Sequence, residues 1–425
     1  MSLPSINGRR LNETLQYSCQ WGCTPDGGMN RVALNDDDAK VKKWFISEVE
    51  KLGCKVTIDQ LGNIFAVRPG QNPAIAPIAI GSHLDTQATG GRYDGILGVL
   101  TGLEIMRACH DAGYKSFAPL ALVVWTNEEG CRFAPYAIGS GVWAGVYDVD
   151  FGHACADVAG VTLGSELNRH GFLDGARTCS FEAQPLSAHF EVHIEQGPIL
   201  CYSDTPSPIA TVTGAAGLRW YDIHLKGIGA HAGTTPMNMR KGKDAVICMA
   251  HIILETERIA VELGGQATNG RIGSDGAPQA YNCILGDVEL GLDLRHKDEG
   301  QLDVLARKVR SSCEKIAQEY GVEIVKWKEV LRSPVIKFTE EAVEAVRNAC
   351  ARSEHPRFEL ISGAGHDSCY TNLKCPTAML FVRCKDGLSH TPLEYASPED
   401  IEEGAKVLLD AVLTYDKTKN ASSRT

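Results

Sequence analysis

The chain has 425 residues, with 42 Lys and Arg against 53 Asp and Glu, giving a formal charge of −11 at neutral pH. At about 100–200 residues per domain it has room for two or three domains, and 44% hydrophobic with 22% charged residues is ordinary globular composition. An acidic chain without a basic run is a poor match to phosphate backbones or anionic lipid, so nucleic acid and membrane surfaces are excluded as partners. No stretch approaches the ~20 apolar residues of a membrane span, and the opening MSLPSINGRRLNETLQ has no signal-peptide core. The 15 cysteines are scattered with no CxxC pair, which suits free thiols in a reducing cytoplasm.

In chain order, Asp36–Leu52 reads as a helix. It opens on Asp36, Asp37 and Asp38, carries Val41, Trp44, Phe45 and Val49 on one face, and is stopped by Gly53. Apolar runs Asn63–Val67 and Ile75–Ile80 read as buried strands, followed by a helix Ile96–Ala112 and a strand Leu120–Trp125. This alternation predicts an α/β fold, a mixed and mostly parallel sheet flanked by helices, with its working groups at strand C-terminal ends.

From about residue 215 the texture changes. Leu218–Lys226 and Asp287–Arg295 alternate as half-buried strands, and Asp244–Leu263 and Glu299–Tyr320 have helical length and period. After residue 331 the first texture returns with helix Glu340–Ser353, strand Thr377–Val382 and helix Pro398–Tyr415, leaving Lys417–Thr425 as a disordered tail. The expectation is a discontinuous domain, 1–214 and 332–425, interrupted by an inserted α+β domain, 215–331.

Five short segments carry candidate chemistry. In GSHLDT, His83 and Asp85 lie two residues apart past an apolar strand, on one side, where Asp85 could orient a metal-binding His83. A surface His beside a capping Asp fits the local pattern as well. Asp94, in GGRYDG, is either a helix N-cap or a metal-bridging carboxylate. Glu128 and Glu129 follow the fully apolar strand Leu120–Trp125, where adjacent carboxylates repel unless solvated or neutralised by cations. His189, Glu191, His193 and Glu195 share one face of an alternating strand, either a site wall or a solvent-facing edge. His390 sits in a loop after Thr377–Val382. Three of the imidazoles (His83, His193, His390) and two of the carboxylates (Asp94, Glu129), without thiolate, suit zinc, with manganese, cobalt or nickel as alternatives.

Together GSHLDT, GGRYDGILGV, TNEEG, HIEQGP, AHAGTTPM, SGAGHDS and LSHTP resemble the dinuclear metallo-amidohydrolases of the aminoacylase/carboxypeptidase superfamily. Within it they are most similar to the N-carbamoyl amino acid hydrolases, which include β-ureidopropionase and L-carbamoylases. The resemblance implies a metallo-exopeptidase-like catalytic domain with two divalent ions, one held by His83, Asp94 and His193 and one by Asp94, Glu129 and His390. It makes Glu128 the general base, Asp85 the carboxylate orienting His83, and His231 the donor to the developing oxyanion. Gln196, Asn282, Arg295 and His366 match substrate-binding positions, Arg295 as the clamp on the substrate carboxylate. The inserted domain becomes a lid through which two copies dimerise. The implied substrate is a ureido acid, and Gln87 tilts the choice towards N-carbamoyl-β-alanine over an N-carbamoyl-L-α-amino acid or allantoate.

Overall fold

A computed structural model describes residues 3–274 and 280–422. The chain divides into two compact units, Met1–Gly214 with Phe338–Thr425, and Ala215–Lys337. The first stretch contributes strands β1 (Lys55–Ile58), β2 (Ile64–Arg68), β3 (Ile78–His83), β4 (Leu120–Trp125), β5 (Ala188–Ile194) and β6 (Ile209–Ala215). The inserted stretch carries β7 (Gly217–Lys226), β8 (Ala230–His231), β9 (Gln266–Gly273), β10 (Cys283–Ile284), β11 (Asp287–His296), β12 (Glu323–Ser333) and β13 (Ile336–Lys337). The returning chain adds β14 (Glu359–Ser362) and β15 (Thr377–Val382).

In the first unit the strands run in the order β1-β2-β4-β3-β5-β15-β6. The central neighbours β4-β3, β3-β5 and β5-β15 pair in parallel, whereas β1-β2, β2-β4 and β15-β6 are antiparallel. Every residue of β3, β4, β5 and β15 is buried, as strands covered on both faces must be. Helix Ile96–Asp111 is likewise buried along most of its length, and it meets the sheet at Gly98 and Gly102, where a Cβ would lie 2.6 Å from Ser82 and 2.3 Å from Leu122. Parallel pairing sends the C-terminal ends of β3, β4, β5 and β15 to one edge, and the loops leaving that edge carry the candidate residues.

The second unit is a different solution to the same burial problem. Its sheet runs β12-β7-β11-β9 with antiparallel pairing throughout. Along β11 buried and half-buried residues alternate strictly, putting Val288, Leu290, Leu292 and Leu294 on the covered face. Helices Ala245–Leu263 and Glu299–Tyr320 supply Cys248, Ile252, Leu302, Leu305 and Val309 to that core. Asp244 and Asp298 cap these helices by accepting from the amides of Ile247 and Gln301.

Two sequence expectations change at the ends. The last helix spans Pro398–Ser422, so Lys417–Ser422 is helical rather than a disordered tail, and residues 423–425 lie outside the described set. Helix Gly8–Ser18, absent from the sequence reading, buries only Leu11 and Leu15 among its large apolar residues, too few for a periodic signal.

Candidate metal centre

Each element ends where a ligand-type side chain begins. His83 is the last residue of β3, His193 the penultimate residue of β5, and Glu128 and Glu129 follow β4 by a few residues. Asp94 precedes helix Ile96–Asp111, but Gly95 occupies the N-cap position and no side chain caps the helix, which leaves the Asp94 carboxylate uncommitted to capping. Gly95 has φ of +66°, and a Cβ there would lie 2.3 Å from the His83 ring, so only glycine lets the Asp94 turn close over that imidazole.

The five residues expected to bind metal converge on Asp94. Its Oδ1 lies 3.0 Å from His193 Nε2 and 3.6 Å from His83 Nε2. Its Oδ2 lies 3.2 Å from His390 Nε2, which in turn is 3.5 Å from Glu129 Oε2. Potential ligand atoms of His83, Asp94 and His193 lie within 4.8 Å of one another, as do those of Asp94, Glu129 and His390. A tetrahedral ion with ligands at about 2.0–2.1 Å holds adjacent ligand atoms about 3.3 Å apart, so these separations match the bite of a metal site.

The hydrogen bonding also fits a cation. Nδ1 of His83 and Nδ1 of His193 each lie 2.9 Å from a backbone carbonyl, those of Asp85 and Ile194. Donation to those carbonyls places the proton on Nδ1 and a lone pair on each Nε2. Both Nε2 atoms are buried without a hydrogen-bond partner, facing the Asp94 carboxylate. Lone pairs facing a carboxylate repel unless a positive charge lies between them, so the residues present fit a metal ion.

The surrounding charge points the same way. Burial, reinforced by Asp367, Glu129 and Asp94, pushes the Glu128 carboxyl well above its usual range. Burial and Asp94 likewise push Glu129 up to about 7. Hydrogen bonding to Asp94, with Glu129 nearby, raises His390 to about 9. So many buried carboxylates in one place are stable only beside cations.

The structure changes the expected role of Asp85. Its backbone carbonyl, not its carboxylate, receives His83 Nδ1. The carboxylate instead accepts from the amides of Glu128 at 3.4 Å and Glu129 at 3.2 Å. Asp85 follows the strand end, where the chain turns and the carbonyl is the nearer acceptor. Its side chain therefore fixes the loop bearing the two glutamates.

β5 is a central strand, so its polar face is neither solvent-facing nor an edge. Glu191 is buried and accepts from the hydroxyls of Ser82 and Ser368 at 2.8 and 2.6 Å. Glu191, His193 and His366 also place potential ligand atoms within 4.8 Å. Both Glu191 oxygens already have donors and His366 Nε2 pairs with the Ser362 hydroxyl at 2.8 Å, so this group is a hydrogen-bonded backing to His193. The His366 ring packs edge-on against His193, 4.6 Å away.

Gln196 donates from Nε2 to Asp94 Oδ2 at 2.7 Å. Three non-glycine residues at this edge, Asn127, Gln196 and His390, have positive φ of 60°, 56° and 57°. Such conformations cost about 1–3 kcal/mol each and persist where the surroundings enforce them. Sequence reading passed over Ser82, Ser140, Asp367, Ser368, Ser389 and Glu394. Asp367 accepts from the Ser140 hydroxyl at 2.5 Å, with its other oxygen buried and unpartnered. Only the acidic character of Asp367 and Glu394 near a motif His could have flagged any of them.

In the inserted unit, antiparallel pairing sets Cys283 opposite His231, which brings Asn282 next to that histidine. His231 Nδ1 accepts from the amides of Gly233 and Thr234, both at 3.2 Å, leaving the ring proton on Nε2. Arg295, on β11, is bound through Nε and Nη2 to the Asp293 carboxylate at 2.9 and 2.7 Å.

Residues 79–414 match the family described as Peptidase family M20/M25/M40. The chain is 38% identical to an N-carbamoyl-L-amino-acid amidohydrolase of Rhizobium meliloti over 96% of each protein. It is 34% identical to an N-carbamoyl-L-amino acid amidohydrolase of Geobacillus stearothermophilus, over 96% of this chain and 98% of that one. Among solved structures, an amidase of the hydantoinase/carbamoylase family from Burkholderia multivorans superposes with a TM-score of 0.89 at 41% identity, covering 98% of this chain and 99% of that one. With the fold, the paired triads and these likenesses together, the chain belongs to peptidase family M20/M25/M40, in the group of N-carbamoyl-L-amino-acid amidohydrolases and hydantoinase/carbamoylase amidases.

Proposed function

We propose that this protein hydrolyses N-carbamoyl-L-α-amino acids to the free amino acid, ammonia and carbon dioxide. The observation that carries the reading is the pair of ligand triads meeting on one carboxylate, Asp94, in a chain whose relatives are named for this substrate class. His83, Asp94 and His193 would hold one divalent ion, and Asp94, Glu129 and His390 the other. Zinc fits nitrogen and carboxylate donors, and manganese, cobalt and nickel share that preference. When bound, such ions polarise a carbonyl and make water acidic, which offsets the poor electrophilicity of a ureido carbon flanked by two nitrogens.

The chain's own groups supply the rest. Glu128, placed 3.5 Å from His83 Nε2, takes the proton of the attacking water and returns it to the departing nitrogen. Asp85 holds the Glu128 and Glu129 amides, and with them the direction of both carboxylates. His231, protonated on Nε2, donates to the developing oxyanion with Asn282 beside it. Arg295 takes the substrate carboxylate, for which a planar guanidinium is the matched partner. Gln196 completes the substrate contacts, whereas His366, which the resemblance matched to a substrate-binding position, is buried, pairs with Ser362 and backs His193. The inserted unit acts as a lid and as the surface of a homodimer, for which light scattering gives the mass.

The structure supplies no reason to prefer N-carbamoyl-β-alanine. Gln87, on which that preference rested, donates from its backbone amide and Nε2 to Glu129 at 3.1 and 2.7 Å. Its side chain therefore bears on a ligand's position rather than on substrate length. Metal analysis combined with ammonia release from an N-carbamoyl-L-α-amino acid, N-carbamoyl-β-alanine and allantoate tests the proposal. One methylene is worth about 1–3 kcal/mol, so kcat/KM is expected to favour the α-substrate by about 10–200-fold. Higher kcat/KM on allantoate or on the β-substrate overturns the assignment.

A further inference from the structure

The segment Ser389–Tyr395 clasps the segment that carries Asp94. Glu394, buried with 4% exposure, accepts through one oxygen from the amides of both Tyr93 and Asp94, at 2.8 and 3.0 Å. Its other oxygen accepts from the Ser389 hydroxyl at 2.8 Å, and that hydroxyl also lies 3.1 Å from Asp94 Oδ2. Ser389 is the neighbour of His390. One buried carboxylate thus holds the backbone of the shared ligand Asp94 and, through one serine, the residue before the outer ligand His390.

The fit is tight. A Cβ at Gly91 would lie 2.2 Å from the Glu394 carboxyl, so that glycine opens the slot the carboxylate fills. The amide of Glu394 donates to Thr391 O at 3.1 Å, which curls the loop back on itself. The rings of Tyr93 and Tyr395 meet edge to face at 5.9 Å, adding an apolar clasp beside the polar one.

We infer that Glu394 is a positioning residue for the outer ion: it sets the separation between Asp94 and His390 without touching metal or substrate. The inference rests on the reading of Asp94 and His390 as ligands. Because His390 stands on a loop at positive φ, its place depends on contacts to other segments: Glu394 ties the loop to the Tyr93 and Asp94 amides, beside Gln196, whose Nε2 reaches Asp94, Ser389 and His390. Groups that orient metal ligands typically contribute about 10–100-fold in metal affinity.

The test measures Zn2+ dissociation constants by competition with a chromophoric chelator, on metal-free full-length protein, for wild type and the variants E394A, E394Q, S389A and G91A. Co2+ absorption spectra of the loaded proteins provide a second readout. Wild type should bind two ions. E394A should bind the weaker ion about 10–100-fold less tightly, with altered Co2+ bands, while the tighter ion changes far less. E394Q keeps an acceptor for the two amides and should recover most of the loss, and S389A should show a smaller one. G91A, which displaces the carboxylate without deleting it, should resemble E394A, and it carries the test if E394A does not fold. Wild type binding no ion would sink the ligand reading itself. Two ions bound by wild type and bound equally by E394A or G91A, with unchanged Co2+ spectra, would overturn the role of Glu394 alone.

Discussion

The two oxygens of Asp94 face different surroundings. On the Oδ1 side stand His83 and His193, each with a side chain 1% exposed. On the Oδ2 side stands His390, 49% exposed. The inner pair is borne by strand ends, where sheet register and backbone carbonyls fix ring direction before any ion arrives. The outer histidine is borne by a loop and owes its place to side-chain contacts. One carboxylate therefore joins a rigid site to an adaptable one. The first suits an ion that stays, and the second an ion whose coordination can change as substrate comes and goes.

The largest effect is expected where the two sides meet. Asp94→Ala removes the shared ligand and should abolish binding of both ions. With several kcal/mol of electrophilic stabilisation lost per ion, turnover should fall on the order of 10⁴-fold or more. Retention of two tightly bound ions by this variant, measured by elemental analysis, would contradict the shared-carboxylate arrangement.

Glu128→Gln separates holding ions from moving protons. Glu128 lies next to the inner triad yet is not needed to complete either triad. The variant should keep both ions and lose about 10²–10⁴ in kcat, the usual worth of a general base. Parallel loss of metal and activity would instead make Glu128 a ligand.

Graded chelation addresses the inner and outer sides directly. A metal chelator added to the loaded protein should remove one ion quickly and the other slowly. His390→Ala should abolish the fast phase and leave one ion bound, whereas His193→Ala should eliminate the slow one. Equal release rates in wild type would mean that burial does not distinguish the sites.

Much of this arrangement was readable before any coordinates. The parallel core was visible because fully buried strands such as Leu120–Trp125 are unbroken apolar runs. The alternation of Asp287–Arg295 likewise announced a sheet covered on one face. The five candidate ligands could be grouped by donor type, but their division into two ion sites came only through a resemblance, since each taken singly fits a bland local explanation. Side chains acting through others stayed invisible. Glu394 meets residues 93 and 94, and Glu191 meets Ser82 and Ser368, and such pairings exist only once the sheet has formed. The carboxylate of Asp85 was given the wrong partner for the same reason, because a two-residue spacing does not say whether the side chain or the carbonyl turns inward.

The contrast between a ligand and a core histidine recurs within β5, on a smaller scale. His189 and His193 project on the same face, four residues apart, and both are buried. His193 faces Asp94, whereas the Nε2 of His189 accepts from the Trp125 indole at 3.3 Å and its Nδ1 has no partner. Burial, with no compensating anion, lowers the His189 pKa from 6.5 to about 3. The unfolded chain therefore binds a proton that the folded chain refuses, and stability falls as pH drops below 6.5 towards 3. At ~1.4 kcal/mol per pH unit, the expected loss from this residue is about 2 kcal/mol between pH 6.5 and pH 5. His189→Gln keeps an acceptor for the indole and cannot titrate, so its urea midpoint should decline less over that interval than that of the wild type. Because His189 reaches no ion, metal content should be unchanged. An identical acid slope in the two proteins would show that His189 takes up its proton without unfolding, and that the interior end of β5 is more polar than its packing against Trp125 implies.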